Sequence, residues 1–210
     1  MKGNGELPVM NKPFSQACEN NKEPILGRIG GVFTGKGLVL EIGSYTAQHI
    51  LHFAEKMPHV NWLPSDTANA FKTLQAGLHG NSLPNIKAPL TLDVTQQPWP
   101  VNAVDGVFSA NTLHIMSLKS VQHFFKGVGK ILKPGANLCL YGPFKYKGKY
   151  TSPSNADFDH WLKTRDPHSG IRDFEQVLAL ASDNSMRLMA DHAMPANNQL
   201  LVFSKVKIQH

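Results

Sequence analysis

Apolar residues follow two rhythms along this chain. Five short runs are continuously apolar or nearly so: Leu38 to Ile42, Val60 to Ser65, Leu90 to Val94, Gly106 to Ala110 and Leu138 to Tyr141. Runs of this kind predict strands covered on both faces, because a half-exposed strand would alternate. Between them the spacing changes to three and four. Ile50, Phe53, Ala54 and Met57 mark a helix over 46–57, which Pro58 stops, and Phe71, Leu74 and Leu78 mark a second over 68–78, ended by Gly80. Val121, Phe124, Phe125, Val128, Ile131 and Leu132 mark a third, closed by Lys133-Pro134-Gly135. An earlier helix is predicted around Asn20 to Phe33, after a polar arm that reaches about Lys12. The third strand is followed instead by a loop bracketed by Pro98 and Pro100.

Strand alternating with helix at these intervals implies parallel pairing through right-handed crossovers, hence helices on both faces of one sheet. The tail departs from that pattern. Two helices, near Ser154 to Lys163 and Asp173 to Ala181, precede strands over Met186 to Asp191 and Gln199 to Val206. The seven residues between those strands are too few for a parallel crossover, so the pair is antiparallel. The expected fold is α/β: a Rossmann-like, seven-stranded, mostly parallel sheet with one antiparallel strand. Residues 1–210 form a single domain, with 1–36 as an N-terminal arm and helix.

Composition narrows the class without choosing a function. Of 210 residues 41% are hydrophobic and 17% charged, a balance that excludes a disordered chain or a coiled coil. No apolar stretch approaches the ~18 to 20 residues of a membrane span, and the opening MKGNGELPVMNK lacks the apolar centre of a signal peptide. A cytoplasmic protein with no membrane partner is expected. Cys18 and Cys139 lie far apart, which is neither a disulfide framework nor a metal-ligand spacing. The net charge of +6 comes from scattered residues and points to a soluble basic surface rather than a nucleic-acid partner.

In an open parallel sheet the ligand crevice lies beyond the carboxyl ends of the strands, where strand order reverses. Those ends carry Glu41, Asp66, Asp93 and Asn111, an acid or an amide at four successive strands. A cationic adenosine ligand fits them. A carboxylate at the second strand can accept from both ribose hydroxyls, and one at the third can face the adenine amine. Each acid also has a local alternative, Asp66 as a helix cap before Thr67 and Asp93 in its own turn. Other chemistry is weaker. His49 and His52 lack a third metal ligand and read as ordinary histidines, so no metal is expected. Cys18 beside Glu19 is a poor setting for a thiolate. The nucleophile elbow Gly-x-Ser-x-Gly and both phosphate-cradling glycine loops are missing, which disfavours a serine hydrolase, a P-loop enzyme or a nucleotide-dependent dehydrogenase.

Several segments taken together carry a family likeness: Val39-Leu40-Glu41-Ile42-Gly43-Ser44, Gln48-His49, Pro64-Ser65-Asp66, Leu92-Asp93-Val94, Tyr141-Gly142-Pro143-Phe144, Gly170-Ile171-Arg172-Asp173 and Met194-Pro195-Ala196-Asn197-Asn198. With Asn20 to Leu26 and Ser154 to Asp159 they cover nearly the whole chain. The sequence resembles the class I S-adenosylmethionine-dependent methyltransferases, and is most similar to the methyltransferase-like 26 family. That resemblance implies S-adenosylmethionine as cofactor, held by Glu41, Gly43, Ser44, Tyr45, Asp66, Asp93, Val94 and Asn111. It implies methyl transfer to a small polar acceptor on the side of Tyr141, Asn155, Arg172, Asn197 and Asn198, with residues 142–184 as a lid insertion there. His114, at the end of the fourth strand, is the candidate base.

The likeness breaks at one loop. Where the methyltransferase pattern is acid-x-Gly-x-Gly-x-Gly, the second and third glycines here are Tyr45 and Ala47. If Tyr45 must be left-handed, it costs roughly 1 to 2 kcal/mol. The rival reading is a binding or interaction protein that kept the fold and lost turnover. Phe144, Tyr146 and Gly148 alternate with Lys145, Lys147 and Lys149, so an extended segment would present an aromatic and a basic face, as a lid or as a solvated connection. Ser154-x-x-Asp157 and Asp173-x-x-Gln176 read as helix starts.

Overall fold

The computed structural model describes residues 12–207, so the polar arm expected ahead of Lys12 lies outside the described residues. The chain runs α1 (Gln16–Ile29), β1 (Gly37–Ile42), α2 (Gln48–Lys56), β2 (Val60–Asp66), α3 (Phe71–Leu78), β3 (Leu90–Thr91), β4 (Val104–Ala110), α4 (Leu118–Ile131) and β5 (Leu132–Gly142). Then follow β6 (Phe144–Lys145), α5 (Pro153–Arg165), β7 (Arg172–Asp173), α6 (Phe174–Asp183), β8 (Met186–Met194) and β9 (Asn198–Lys205). Seven strands form one sheet in the order β3-β2-β1-β4-β5-β9-β8. Pairing is parallel except that β9, the last strand, inserts antiparallel between β5 and β8. Order reverses between β1 and β4, and the crevice opens there.

Strand alternation sorts the core into two layers. Leu40, Val107, Leu138 and Phe203 pack with Phe124, Phe125 and Val128 of α4 and Val177 of α6. Val39, Trp62, Phe108 and Cys139 face the other way, against Ile25 of α1 and Ile50 and Phe53 of α2. Phe53 makes edge contacts with Phe108 at 5.3 Å and lies 5.6 Å from Trp62, ring centre to ring centre. All three rings are fully buried, each worth roughly 1.5 to 3 kcal/mol of transfer free energy. Both sheet faces are therefore covered, as continuous apolar runs require.

Boundaries shift where polar groups settle local backbone. α1 starts at Gln16 because Ser15 caps it, its hydroxyl accepting from the Cys18 N–H at 3.4 Å, and the helix ends in a turn through Gly30-Gly31. β3 is only two residues long. Asp93 Oδ1 then accepts from the Thr95 N–H at 2.9 Å and hydroxyl at 2.7 Å, which turns Leu92-Asp93-Val94 out of the sheet. α4 does end just ahead of Lys133-Pro134-Gly135, at Ile131, but that triplet is not a linker before a separate strand. It is an irregular stretch within β5, whose pairing jumps from Val104↔Leu132 to Gly106↔Asn137. Ser152 rather than Ser154 caps α5. Asp173 stands at the start of α6 but its side chain does not cap it. The loop between the last two strands shrinks to one turn at Pro195–Asn197, because β8 and β9 pair as far as Met194 and Asn198.

The aromatic edge of the 144–149 segment packs against the protein. Phe144 is buried, and the Tyr146 ring stacks on Phe174 at 4.9 Å while its hydroxyl donates to Asp191. Lys145 reaches Asp173 at 3.4 Å, and the Lys147 N–H donates to the Glu175 carboxylate.

Candidate functional site

A cavity of about 920 Å³ opens at the carboxyl ends of β1, β2 and β4 and extends past β5 to the turn between β8 and β9. α1 covers one side of it with Ser15, Cys18, Asn20 and Asn21. The loop after β1 is its floor. The N–H groups of Gly43 and Ser44 both donate to the Ser65 carbonyl at 3.0 Å, pinning the loop to β2. Gly43 has φ +82°, and a Cβ there would lie 2.4 Å from the Thr112 methyl, so only glycine fits.

Tyr45 and Ala47 keep the backbone that glycine would adopt, with φ 41° and 62°. Two contacts hold them. The Tyr45 N–H donates to Asp66 Oδ2 at 2.8 Å, and the Ala47 N–H to the Ser44 carbonyl at 2.8 Å. The Ala47 methyl is accommodated from across the helix layer. Gly77 of α3 comes so close that a Cβ on it would lie 2.3 Å from the Thr46 carbonyl and 3.1 Å from Ala47 Cβ. The glycine needed for close approach thus sits on the opposing helix. The Tyr45 ring stands half exposed on the cavity rim.

Asp66 lines the cavity with each oxygen accepting one backbone N–H, Tyr45 at Oδ2 and Thr67 at Oδ1. A carboxylate oxygen has two acceptor sites, so both retain one for a ligand. Asp93 and Val94 also line it, as does Asn111, which is left-handed at φ 58°. Glu41 does not reach the wall. Its side chain is sealed beneath the loop at 1% exposure, and Oε2 has no partner among the described residues. Burial pushes this carboxyl up to about 7, with the Ser44 hydrogen bond opposing and the Asp66 charge reinforcing the shift.

On the β5 side the wall holds His114, Tyr141, Asn155 and Asn198. His114 is buried with its ring edge-to-face on Phe158 at 5.2 Å. Burial, aided by the Arg172 charge, lowers it to about 4, so the imidazole is neutral at neutral pH. A methyl built on Gly142 would lie 3.7 Å from His114 Nδ1 and 3.8 Å from Asn111 Oδ1, so both side chains border the space above that glycine. Arg172 and Asn197 are off the wall. The Arg172 guanidinium donates to the carbonyls of Leu113, Met116 and His168, clamping the loop that carries His114. The Asn197 carbonyl accepts from Asn155 Nδ2 at 3.0 Å.

Sequence reasoning missed the contribution of α1 and the role of His49. His49 is buried on the cavity wall, stacked on Phe53, with Nε2 2.6 Å from Asn21 Oδ1. Burial, with the His52 and Lys22 charges, lowers it to about 4. The apolar period of α2 places His49 four residues before core Phe53, a signal that it faces inward. Among the described residues there is no cluster of metal-ligating side chains, and no helix is long and apolar enough to cross a membrane.

A family model described as "Protein of unknown function (DUF938)" matches residues 12–205. Solved structures share the fold at low sequence identity. An O-methyltransferase family protein from Burkholderia thailandensis superposes with a TM-score of 0.78 and 14% identity, over 92% of this chain and 58% of that one. The S-adenosylmethionine-dependent methyltransferase SibL, in its apo form, gives 0.76 and 18%, over 91% and 56%. Human N-acetylserotonin methyltransferase in complex with SAM gives 0.75 and 14%, over 91% and 53%. The chain spans just over half the length of these proteins, and the likeness shows a shared class I methyltransferase fold.

Proposed function

The chain belongs to the DUF938 family, and we propose that it is an S-adenosylmethionine-dependent methyltransferase that acts on a small acceptor molecule. The observation that carries the reading is the set of groups at the strand ends around the pinned β1 loop. Asp66 and Asp93 both face the cavity on the β2–β3 side, next to Gly43 and Ser44. Paired carboxylates suit a cation with ribose hydroxyls and an adenine amine, and the Asp66 oxygens each keep an acceptor site for it. Leu92 and Val94 supply apolar wall beside Asp93. Two same-fold proteins are described with this cofactor, SibL as dependent on it and the human enzyme as bound to it. The likeness to the methyltransferase-like 26 family points the same way.

When bound, the cofactor supplies an electrophilic methyl carbon on a sulfonium. This chain's residues have then to hold the acceptor in line, exclude water and take up any proton the acceptor loses. His114 suits the last role, because its neutral ring lies on the cavity wall beyond the end of β4 and borders the same space over Gly142 as Asn111. The arrangement does not favour nucleic acid. The 145–149 segment offers three lysines, one of them on Asp173, whereas a surface that grips a nucleic-acid backbone neutralises roughly six to ten phosphates.

The test is transfer of a labelled methyl group from S-adenosylmethionine to a low-molecular-weight cell extract. Label incorporation above a boiled control, reduced at least tenfold in Asp66→Ala, supports the reading. Cofactor binding with no incorporation from any extract supports the rival, a binding protein without turnover.

A further inference from the structure

The half of the cavity beyond the cofactor groups has a chemistry of its own. Among the described residues, the ionised side chains on the wall are Asp66 and Asp93, both on the β2–β3 side. His49 and His114 on the other side are held neutral by burial. Cations on the elements around that side are engaged: Arg172 on three backbone carbonyls, Lys145 on Asp173 at 3.4 Å, Lys163 on Asp159 at 2.6 Å and Arg165 over the Trp161 ring at 4.6 Å. A carboxylate or phosphate entering here would lose its water and find no cation in exchange.

The surface between the polar groups is apolar, formed by Ile115, Met116, Pro143, Phe158 and Pro195. Phe158 is a fixed ring. It meets His114 edge-on at 5.2 Å and is backed by the Trp161 ring stacked at 5.8 Å, which Arg165 covers at 4.6 Å. A rigid aromatic wall suits a flat apolar body.

The amides then set the polarity. Asn155 Nδ2 donates to Thr151 Oγ1 at 2.8 Å and to the Asn197 carbonyl at 3.0 Å. Asn198 Nδ2 donates to the carbonyls of Pro195 at 3.2 Å and Ala196 at 3.3 Å. Backbone carbonyls only accept, so both amides are fixed in orientation with Oδ1 as the accepting end. Asn155 Oδ1 receives no hydrogen bond from a described residue, whereas the Asn198 side chain also meets the Tyr141 hydroxyl. At Asn155 the wall therefore offers an acceptor, and a ligand that meets it must bring the donor.

We infer that the acceptor is an uncharged molecule with a flat apolar body and an O–H or N–H group that donates to Asn155. From the methyltransferase reading this takes only that the β5 side of the cavity holds the acceptor. The test is ligand-observed NMR titration at pH 7.5 with 2-naphthol, 2-naphthoate and 2-methoxynaphthalene, which share one ring system. Each is titrated into the protein alone and into protein supplied with S-adenosylhomocysteine. 2-Naphthol is expected to bind at least tenfold more tightly than either of the others, and Phe158→Ala to abolish the difference. Ile115→Arg, at an exposed rim position, tests the charge argument without touching the core and is expected to raise 2-naphthoate binding at least fivefold. Equal or tighter binding of 2-naphthoate by the unaltered protein, absence of binding by all three at millimolar concentration, or indifference of 2-naphthoate to Ile115→Arg overturns the inference. Selection of 2-naphthol without any S-adenosylhomocysteine binding leaves this inference standing and removes the methyltransferase reading. The converse result removes this inference alone.

Discussion

Gly43 is the residue on which the loop geometry turns. Its φ of +82° and the 2.4 Å at which any Cβ would meet the Thr112 methyl are two separate penalties on a side chain there. They can be separated by substitution. Gly43→Ala is expected to cost about 3 kcal/mol of stability, combining left-handed strain of ~1 to 2 kcal/mol with overpacking of a similar size. Adding Thr112→Ser removes the methyl and keeps the hydroxyl bonded to Ser109 at 2.5 Å, so the double variant should recover the overpacking part only. Denaturant unfolding of the two variants checks this, and full additivity would show that the Thr112 methyl is not the obstacle. The same scale shows why some site residues cannot be ranked from sequence. Asp66 at a strand end is legible as a ligand acceptor and as a helix cap, yet α3 starts at Phe71 with no side-chain cap and Asp66 instead accepts from the Tyr45 and Thr67 N–H groups at the cavity. Arg172 is not explained by its neighbours in sequence because two of its three partners, the carbonyls of Leu113 and Met116, lie more than fifty residues away.

At the scale of elements, α3 and the β1 loop are matched surfaces. Gly77 lets α3 lie against the Thr46 carbonyl, with Ala47 in the position where a methyltransferase loop has glycine. Gly77→Ala would set a methyl against backbone that cannot yield, so the helix or the loop must move. We expect a loss of about 2 to 4 kcal/mol in unfolding free energy and a cofactor affinity at least tenfold weaker. Unchanged affinity with reduced stability would mean that the loop keeps its shape when α3 moves away. Most elements are legible because covered strands are continuous apolar runs and their helices keep a clean period. The irregular stretch in β5 is not, since Lys133-Pro134-Gly135 is composed like a turn, and pairing partners in β4 decide that it stays in the strand. α1 begins at Gln16 rather than near Asn20, because its first turn is polar and the Ser15 cap sets its start. Apolar spacing therefore hides the helix side that covers the cavity.

Across the whole molecule, three buried titratable groups set an acid side and a neutral side to stability. His49 and His114 stand at about 4 in the fold against an ordinary 6.5. As pH falls below 6.5 the unfolded chain takes up protons that the fold refuses, so each histidine removes up to ~1.4 kcal/mol per pH unit until about pH 4. Glu41 has the opposite sign. Its folded value of about 7 against 4.5 means that the unfolded chain ionises first, and stability falls as pH rises from 4.5 to 7. Two histidines outweigh one carboxyl between pH 4.5 and 6.5, so these groups place the optimum near pH 6.5. Glu41→Gln should abolish the decline from 6.5 to 7 and steepen the acid limb, where the carboxyl no longer opposes the two histidines, as read by chemical unfolding across pH 4.5 to 8. An unaltered profile would show that Glu41 is ionised in the fold.

The central claim is that the strand-end carboxylates hold S-adenosylmethionine, and calorimetric titration of the protein with that cofactor tests it most directly. Asp66 contributes two charged acceptor sites beside a loop that it also fixes through the Tyr45 N–H. The account predicts saturable one-to-one binding of S-adenosylmethionine and S-adenosylhomocysteine, weakened by roughly 1 to 3 kcal/mol in Asp66→Ala. Absence of heat and of any thermal shift at millimolar cofactor, or equal affinity in the folded Asp66→Ala protein, would contradict it.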